Sequence, residues 1–426
     1  MNKVLMVAFH FPPQAGSSGL LRALKFCRYF PEFGWHPTVL TVHPRAYEHV
    51  DESQLRELPS EVPVLRVFAL DTQRHLSIRG RYLRWMALPD RWVTWSLGAI
   101  PAGWRAIRRE KIGVIWTTFP IATAILIGWV LHRLTGAQWV VDFRDSMTED
   151  EYPRDPLTRR IYRWIEKRAV DRAALLVFTA RSTIQMYLQR YPSLSAEKCM
   201  LIPNGYDEAD FQDILRRAAP SGNIGNAVRL VHMGLLYPEE RDPKPFFRAL
   251  MRLKKESRIS AATLRIELRA SGYDEVYASL TRELGIEDIV FLLPALPYHE
   301  ALSDCARADG LLLFQAANCD HQIPAKAYEY LRVGKPILAL TSQTGDTAAL
   351  LREIGGATLV DLADEDAIYR ALPSYLESLR SGGHDLPDGQ KASQYSRKAQ
   401  AQEVAKCFSQ LESGTAASQA MGWAER

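Results

Sequence analysis

The run from Ile323 to Leu340, IPAKAYEYLRVGKPILAL, carries the most informative spacing in the chain. Lys326 and Glu329 are three apart, so on a helix they share one face near its start. Pro324 suits a helix's first turn, where its fixed φ is helical and its missing N–H is not needed. A helix N-terminus beside an ammonium attracts anions, and a carboxylate one turn later accepts hydrogen bonds from a diol. Phosphate plus diol points to a nucleoside diphosphate and its ribose. The same pair also reads as an exposed ion pair on a surface helix, which contributes little. Gly334 supplies a left-handed stop, Lys335-Pro336 closes the turn, and Ile337 to Leu340 reads as a short buried strand.

A second candidate lies near the N-terminus. Lys3 to Phe9 is an almost continuous apolar strand of the kind buried on both faces of a parallel sheet. It runs through FHFPPQAGSSG into a helical pattern, so Gly16, Ser17, Ser18 and Gly19 can bring backbone N–H groups close to a ligand, with Arg22 one turn into the helix. The alternative is a plain surface loop, since no GxGxxG is present. A third candidate follows the strand Gln138 to Phe143, which ends in VDFRDSM. Asp142, Arg144 and Asp145 then sit at the carboxyl edge of the sheet, where open α/β folds bind ligands. Two carboxylates beside a guanidinium orient a hydroxyl or take its proton; equally, they form a structural ion pair and a helix cap.

Residues 79–111 have an unusual composition. Arg79, Arg81, Arg84, Arg91, Arg105, Arg108, Arg109 and Lys111 outnumber Asp90 and Glu110, and Trp85, Trp92, Trp95 and Trp104 are interleaved with them. Tryptophan favours the membrane headgroup zone and arginine binds anionic lipid there. The same mixture can stack bases, or be solvated arginines over inward-packed tryptophans. Ala122 to Leu134 is apolar but too short to span a bilayer, so the expected protein lies on a membrane rather than across it.

The elements that position these groups come from a chain of 426 residues, long enough for two domains. Its 47% hydrophobic and 24% charged residues are an ordinary globular balance, and a net charge of +4 does not argue for nucleic acid. Five scattered cysteines (Cys27, Cys199, Cys305, Cys319, Cys407) offer neither a disulfide framework nor a zinc site, which favours a reducing compartment. The start of the chain lacks the apolar core and cleavage site of a signal peptide. Strands and helices alternate up to PNGYD at Pro203 to Asp207, then the pattern restarts at Val228 to His232 with the Met233-Gly234 turn. The expected organisation is a first Rossmann-like domain over 1–205, a linker over 206–226, a second over 227–390 and a helical tail over 391–426. The fold class is α/β, two such domains facing each other across a cleft.

With these residues in view, the chain resembles the GT-B glycosyltransferases, and most closely the bacterial group of glycosyltransferase family 4. The resemblance is carried by FHFPPQAGSSG, LPDRWVTW, VVDFRDS, IPNGYD, MGLLYPEERDP and IPAKAYEYLRVGKPILAL. It implies transfer of a sugar from a nucleotide-diphosphate donor, with retention at the anomeric carbon, in polysaccharide or glycan assembly. It further implies that Glu329 binds the ribose hydroxyls, that the Gly234 loop binds the diphosphate, and that Gly16 to Gly19 lie near the transferred sugar. Two positions depart from the family pattern. His321 stands where the first of two spaced glutamates is usual, and Leu235 where an arginine follows the glycine. Arg241, Lys244 and Lys326 are the available substitutes.

Breaking a sugar–diphosphate bond builds charge on the leaving phosphate, so cations and helix N–H groups aimed there lower the barrier. Arg241, Lys326 and the helix after Pro324 can fill that role without metal or cofactor, and no DxD-type pair is placed to hold Mg²⁺. The expected partners are a nucleotide-diphosphate sugar, a lipid-linked or saccharide acceptor and a membrane surface, with no nucleic acid; the expected location is cytoplasmic, at the inner face of the cell membrane. A nucleotide-sugar epimerase of the same layout, or a non-catalytic homologue that binds nucleotide-sugar, are the alternatives.

Overall fold

The computed structural model describes residues 2–15, 19–149, 152–217 and 227–413. The loop residues Gly16, Ser17 and Ser18 therefore lie outside the described residues, as do 218–226 of the expected linker. Two compact units are present, one built from residues up to Pro203 together with those from Arg397 onward, the other from Asn204 to Ser396.

The first unit holds a seven-stranded sheet. Its strands are β1 (Asn2–Val7), β2 (Trp35–Val42), β3 (Val64–Val67), β4 (Val114–Thr118), β5 (Gln138–Phe143), β6 (Leu175–Phe178) and β7 (Cys199–Leu201), in the order β3-β2-β1-β4-β5-β6-β7. Every pairing is parallel. Parallel strands must be joined by crossovers, so both faces are covered and the strands read as apolar runs. One face packs Val7, Leu40, Ile115 and Val141 under helices Trp95–Glu110 and Ala122–Thr135. The other packs Val4, Met6, Val39 and Val140 under Phe26 and Phe30.

The C-terminal helix Arg397–Ser413, expected as a separate tail, lies on that second face. Ala401, Val404, Ala405 and Phe408 recur at helical spacing and bury against helix Gly19–Tyr29, with Phe408 5.1 Å from the Trp35 ring. Trp35 Nε1 donates to Ser409 Oγ at 3.1 Å.

The second unit holds a six-stranded sheet of β8 (Val228–Met233), β9 (Leu264–Arg269), β10 (Val290–Leu293), β11 (Gly310–Phe314), β12 (Ile337–Leu340) and β13 (Ala357–Val360), ordered β10-β9-β8-β11-β12-β13 and parallel throughout. Both units are thus doubly wound α/β, the Rossmann-like pair expected from sequence. Part of the expected linker, Glu208–Arg217, is helical, and Arg332 holds Glu208 through two hydrogen bonds, so the helix belongs to this unit. All five cysteines are buried thiols. Among the described residues no helix is long and apolar enough to cross a membrane.

In each sheet the strand order reverses once, between β1 and β4 in the first and between β8 and β11 in the second. At such a reversal the adjacent crossovers run to opposite faces and leave a crevice beyond the carboxyl ends of the strands. Gly19 follows β1; Asp142, Arg144 and Asp145 come at the end of the neighbouring β5; Gly234 and the helix that bears Lys326 and Glu329 follow β8 and β11.

Candidate functional site

In the second unit, β8 ends at Met233 and the chain turns at Gly234, whose φ of +103° is one that side-chain-bearing residues rarely adopt. A Cβ on Gly234 would come within 3.1 Å of Lys326 Nζ, so the glycine is what lets the ammonium approach the turn. Helix Ala325–Val333 begins directly after Pro324 and has no side-chain cap, which leaves its first N–H groups toward the crevice. Gly334 ends it in the left-handed conformation, as its position implied. Met233 N donates to Tyr330 Oη at 3.0 Å, which fastens strand to helix.

Lys326 Nζ lies 3.1 Å from His232 Nε2. His232 Nδ1 is 2.8 Å from the Leu312 carbonyl, which can only accept, so Nδ1 carries the hydrogen and Nε2 accepts from Lys326. Burial, then the Lys326 charge, hold His232 well below its ordinary pKa. Lys326 is itself brought down to about 7, first by burial and then by Arg241, against the pull of Glu329. A half-buried ammonium resting on a neutral imidazole is poised to take a counter-charge.

Glu329 accepts from Tyr298 Oη at 2.8 Å, which orients its carboxylate. The chain after β8 folds back, with Arg241 N donating to the Tyr237 carbonyl at 2.7 Å. This returns the Arg241 guanidinium to the Leu235 carbonyl, 3.3 Å away. A cation therefore stands beside the turn even though Leu235, 41% exposed, replaces the usual arginine. His321 lies in the loop entering the helix, 3.3 Å from Gln322 Nε2. Gln315 pins that loop by donating to the Cys319 and Gln322 carbonyls at 2.7 and 2.8 Å.

In the first unit the expected constellation separates. Asp142 is wholly buried, and Arg22 Nε and Nη2 donate to its two oxygens at 2.8 and 3.0 Å. Arg22 Nη1 donates to the Pro203 carbonyl at 2.8 Å. Asp142 therefore cannot reach an acceptor hydroxyl; this corrects its assignment to chemistry. Arg144 is a strut, with Nε donating to the Phe119 carbonyl at 2.8 Å and Nη1 to that of Gly19. A Cβ on Gly19 would strike its guanidinium at 2.6 Å, so that glycine serves close packing of this strut. Asp145 alone of the three presents an exposed side chain.

His10, not singled out from sequence, stands three residues beyond β1, at the same edge. Its Nδ1 is 2.7 Å from Gln14 Oε1, so Nδ1 donates and Nε2 keeps its lone pair. Burial, then Arg144, bring its pKa to about 4, which makes it a neutral base. The available signal was a histidine directly after an apolar strand. Asp90 of LPDRWVTW accepts from Thr123 N and Oγ1 at 2.8 Å each, so that motif anchors the start of helix Ala122–Thr135.

The tryptophans of residues 79–111 divide. Trp95 is fully buried, Trp92 packs 4.6 Å from the Phe9 ring, and Trp85 and Trp104 are 69% and 42% exposed. The arginines at 79, 81, 84, 105, 108 and 109 are exposed, and Arg84 pairs with Asp155.

Residues 21–205 match the family model for the glycosyl transferase 4-like domain. The solved structures similar to this chain include sucrose-phosphate synthase from Thermosynechococcus elongatus, at 14% identity over 97% of this chain and 100% of that one, with a TM-score of 0.63. Anabaena Alr3699/HepE in complex with UDP is similar at 14% identity over 96% and 100%, with a TM-score of 0.63. A UDP-N-acetylglucosamine 2-epimerase is similar at 13% identity over 97% and 96%, with a TM-score of 0.54. At these identities the likeness is one of fold. No curated protein sequence matches the chain.

Proposed function

We propose that this chain is a glycosyltransferase of GT-B fold, family 4-like, and that it moves a sugar from a nucleotide-diphosphate donor to a lipid-linked or saccharide acceptor. The match of residues 21–205 to a glycosyl transferase 4-like domain and the likeness in fold support this reading. The observation that carries the donor reading is the approach of Lys326 to Gly234 at the uncapped start of helix Ala325–Val333, with Glu329 one turn on. The diphosphate sits against the helix N–H groups, Lys326 and Arg241, and the ribose hydroxyls donate to Glu329. As the anomeric C–O bond breaks, the electron pair goes to the β-phosphate oxygen, and the two cations meet the charge formed there. UDP is the first nucleotide to test, because the similar HepE was solved with UDP and with UDP-glucose. We place the reaction in polysaccharide assembly at the inner face of the cell membrane, a reading supported by the exposed arginines and tryptophans of residues 79–111.

Incubation with UDP-, GDP- and ADP-sugars and a polyprenyl-diphosphate saccharide tests this. The acceptor should gain the mass of one sugar. Interconversion of the nucleotide-sugar with no gain on the acceptor would favour epimerase chemistry instead.

Two variants probe the two units. Glu329→Ala should weaken UDP binding by about 1–3 kcal/mol, the usual cost of a lost charge-assisted hydrogen bond. Calorimetry reads it directly, and unchanged affinity would return Glu329 to a structural partner of Tyr298. Asp145→Asn should lower turnover while leaving UDP affinity intact, since the exposed carboxylate is assigned to the acceptor. Equal turnover in the two proteins would remove Asp145 from the reaction.

A further inference from the structure

Residues 78–85, IRGRYLRW, form a protrusion with a defined shape. Ile78 N donates to the Arg81 carbonyl at 2.8 Å and Arg81 N to that of Ile78 at 3.0 Å. Arg79 and Gly80, at φ of +52° and +77°, make the two-residue turn between them. The base is held too. Thr72 Oγ1 donates to the Met86 carbonyl at 2.8 Å, and Arg91 Nε lies 3.3 Å from the buried Asp71 carboxylate. An ordered turn on an anchored base presents its side chains in a fixed pattern.

That pattern does not suit water. Ile78 is 80% exposed, Tyr82 40%, Leu83 61% and Trp85 69%. Single exposed apolar residues are commonplace, but four in eight consecutive positions mark a contact surface. Arg79, Arg81 and Arg84 alternate with them, and no acidic residue occurs between Asp71 and Asp90. A partner for this element must therefore be apolar inside and anionic at its rim. A bilayer of anionic phospholipid has that layering, with phosphates over acyl chains and a boundary zone where tryptophan and tyrosine rest.

We propose that the 78–85 protrusion is the membrane-docking element of this protein, with Ile78, Leu83 and Trp85 entering the headgroup zone of an anionic leaflet and Arg79 and Arg81 on its phosphates. This deepens the reading of an enzyme working at a membrane, and its physics does not depend on which acceptor is used. Arg84, already paired with Asp155, contributes less.

The full-length protein is tested by flotation with phosphatidylcholine vesicles, with and without phosphatidylglycerol, at low and high salt. The wild type should float with anionic vesicles at low salt and be released at high salt, since surface charges are screened over about 8–10 Å. Arg79→Gln and Arg81→Gln should each lower the partition coefficient about fivefold, and Trp85→Ala roughly tenfold. Trp85→Phe should still float, yet lose much of the fluorescence quenching that brominated lipid causes in the wild type. UDP affinity, measured on the same samples, should be unchanged in all four variants. Loss of UDP binding in the wild type would sink the donor reading and leave docking standing. Wild-type flotation that ignores lipid charge, no flotation, or variants that float as the wild type does would overturn the docking proposal.

Discussion

Replacing Arg22 with alanine is expected to destabilise the first unit by about 3–5 kcal/mol, the usual cost of leaving a buried carboxylate without its partner. Asp142 has no exposure, and Arg22 donates to both its oxygens. The same guanidinium holds the Pro203 carbonyl, so one side chain ties the end of β5, the first helix and the end of β7's loop. Asp142→Asn should cost less, because an amide keeps an acceptor for one Arg22 N–H group. The paired change Arg22→Met with Asp142→Leu should come near the wild type, since apolar residues of similar volume often replace a buried ion pair without loss. Urea unfolding followed by near-ultraviolet circular dichroism reads all three. A loss below about 1 kcal/mol for Arg22→Ala would place the pair among ordinary surface bridges and reopen a chemical role for Asp142.

The corresponding sequence signal was ambiguous for a physical reason. Asp142, Arg144 and Asp145 lie within four residues, and their types allow either chemistry or an ion pair. What decides between them is Arg22, 120 positions away in the chain. Composition and spacing report on neighbours along a helix or strand, not on such partners. Lys326 and Glu329 were legible as a pair because three positions bring side chains to one helix face, whereas the His232 beneath Lys326 is 94 positions distant.

The fold followed the same division. The central strands were legible because parallel sheets bury both faces and leave apolar runs such as VLMV and GLLLF. Strands β3 and β13 were not read: each is four residues long, lies at a sheet edge and is largely half-buried, which leaves little pattern. The helix Arg397–Ser413 was expected, but its return to the first unit depends on Phe408 meeting Phe30 and Trp35, a match of shape that no local pattern encodes.

The donor site carries the other large expected effect. In the unliganded protein the Lys326 pKa stands at about 7, held down by burial and by Arg241. A bound diphosphate brings negative charge against the ammonium and raises that pKa, so binding takes up a proton wherever Lys326 was neutral. The sign follows: the favourable contact is present in full below pH 7 and is lost as pH rises above it. Between pH 6.5 and 8.5, UDP affinity should fall by about 20-fold if the complex keeps Lys326 charged across that range. Calorimetry in two buffers of different ionisation enthalpy should show proton uptake near pH 7.5. Lys326→Met removes the titrating group, so its UDP affinity should be low and should not fall over the same interval. Glu329→Ala should bind more weakly and begin to fall at a lower pH, because Lys326 loses the carboxylate that holds its pKa up. The comparison isolates the ammonium, because the nucleotide's own phosphate ionisation acts in the opposite sense, favouring the dianion at higher pH. A wild-type affinity that stays level or rises toward pH 8.5 would mean that the diphosphate is held by Arg241 and the helix N–H groups without Lys326.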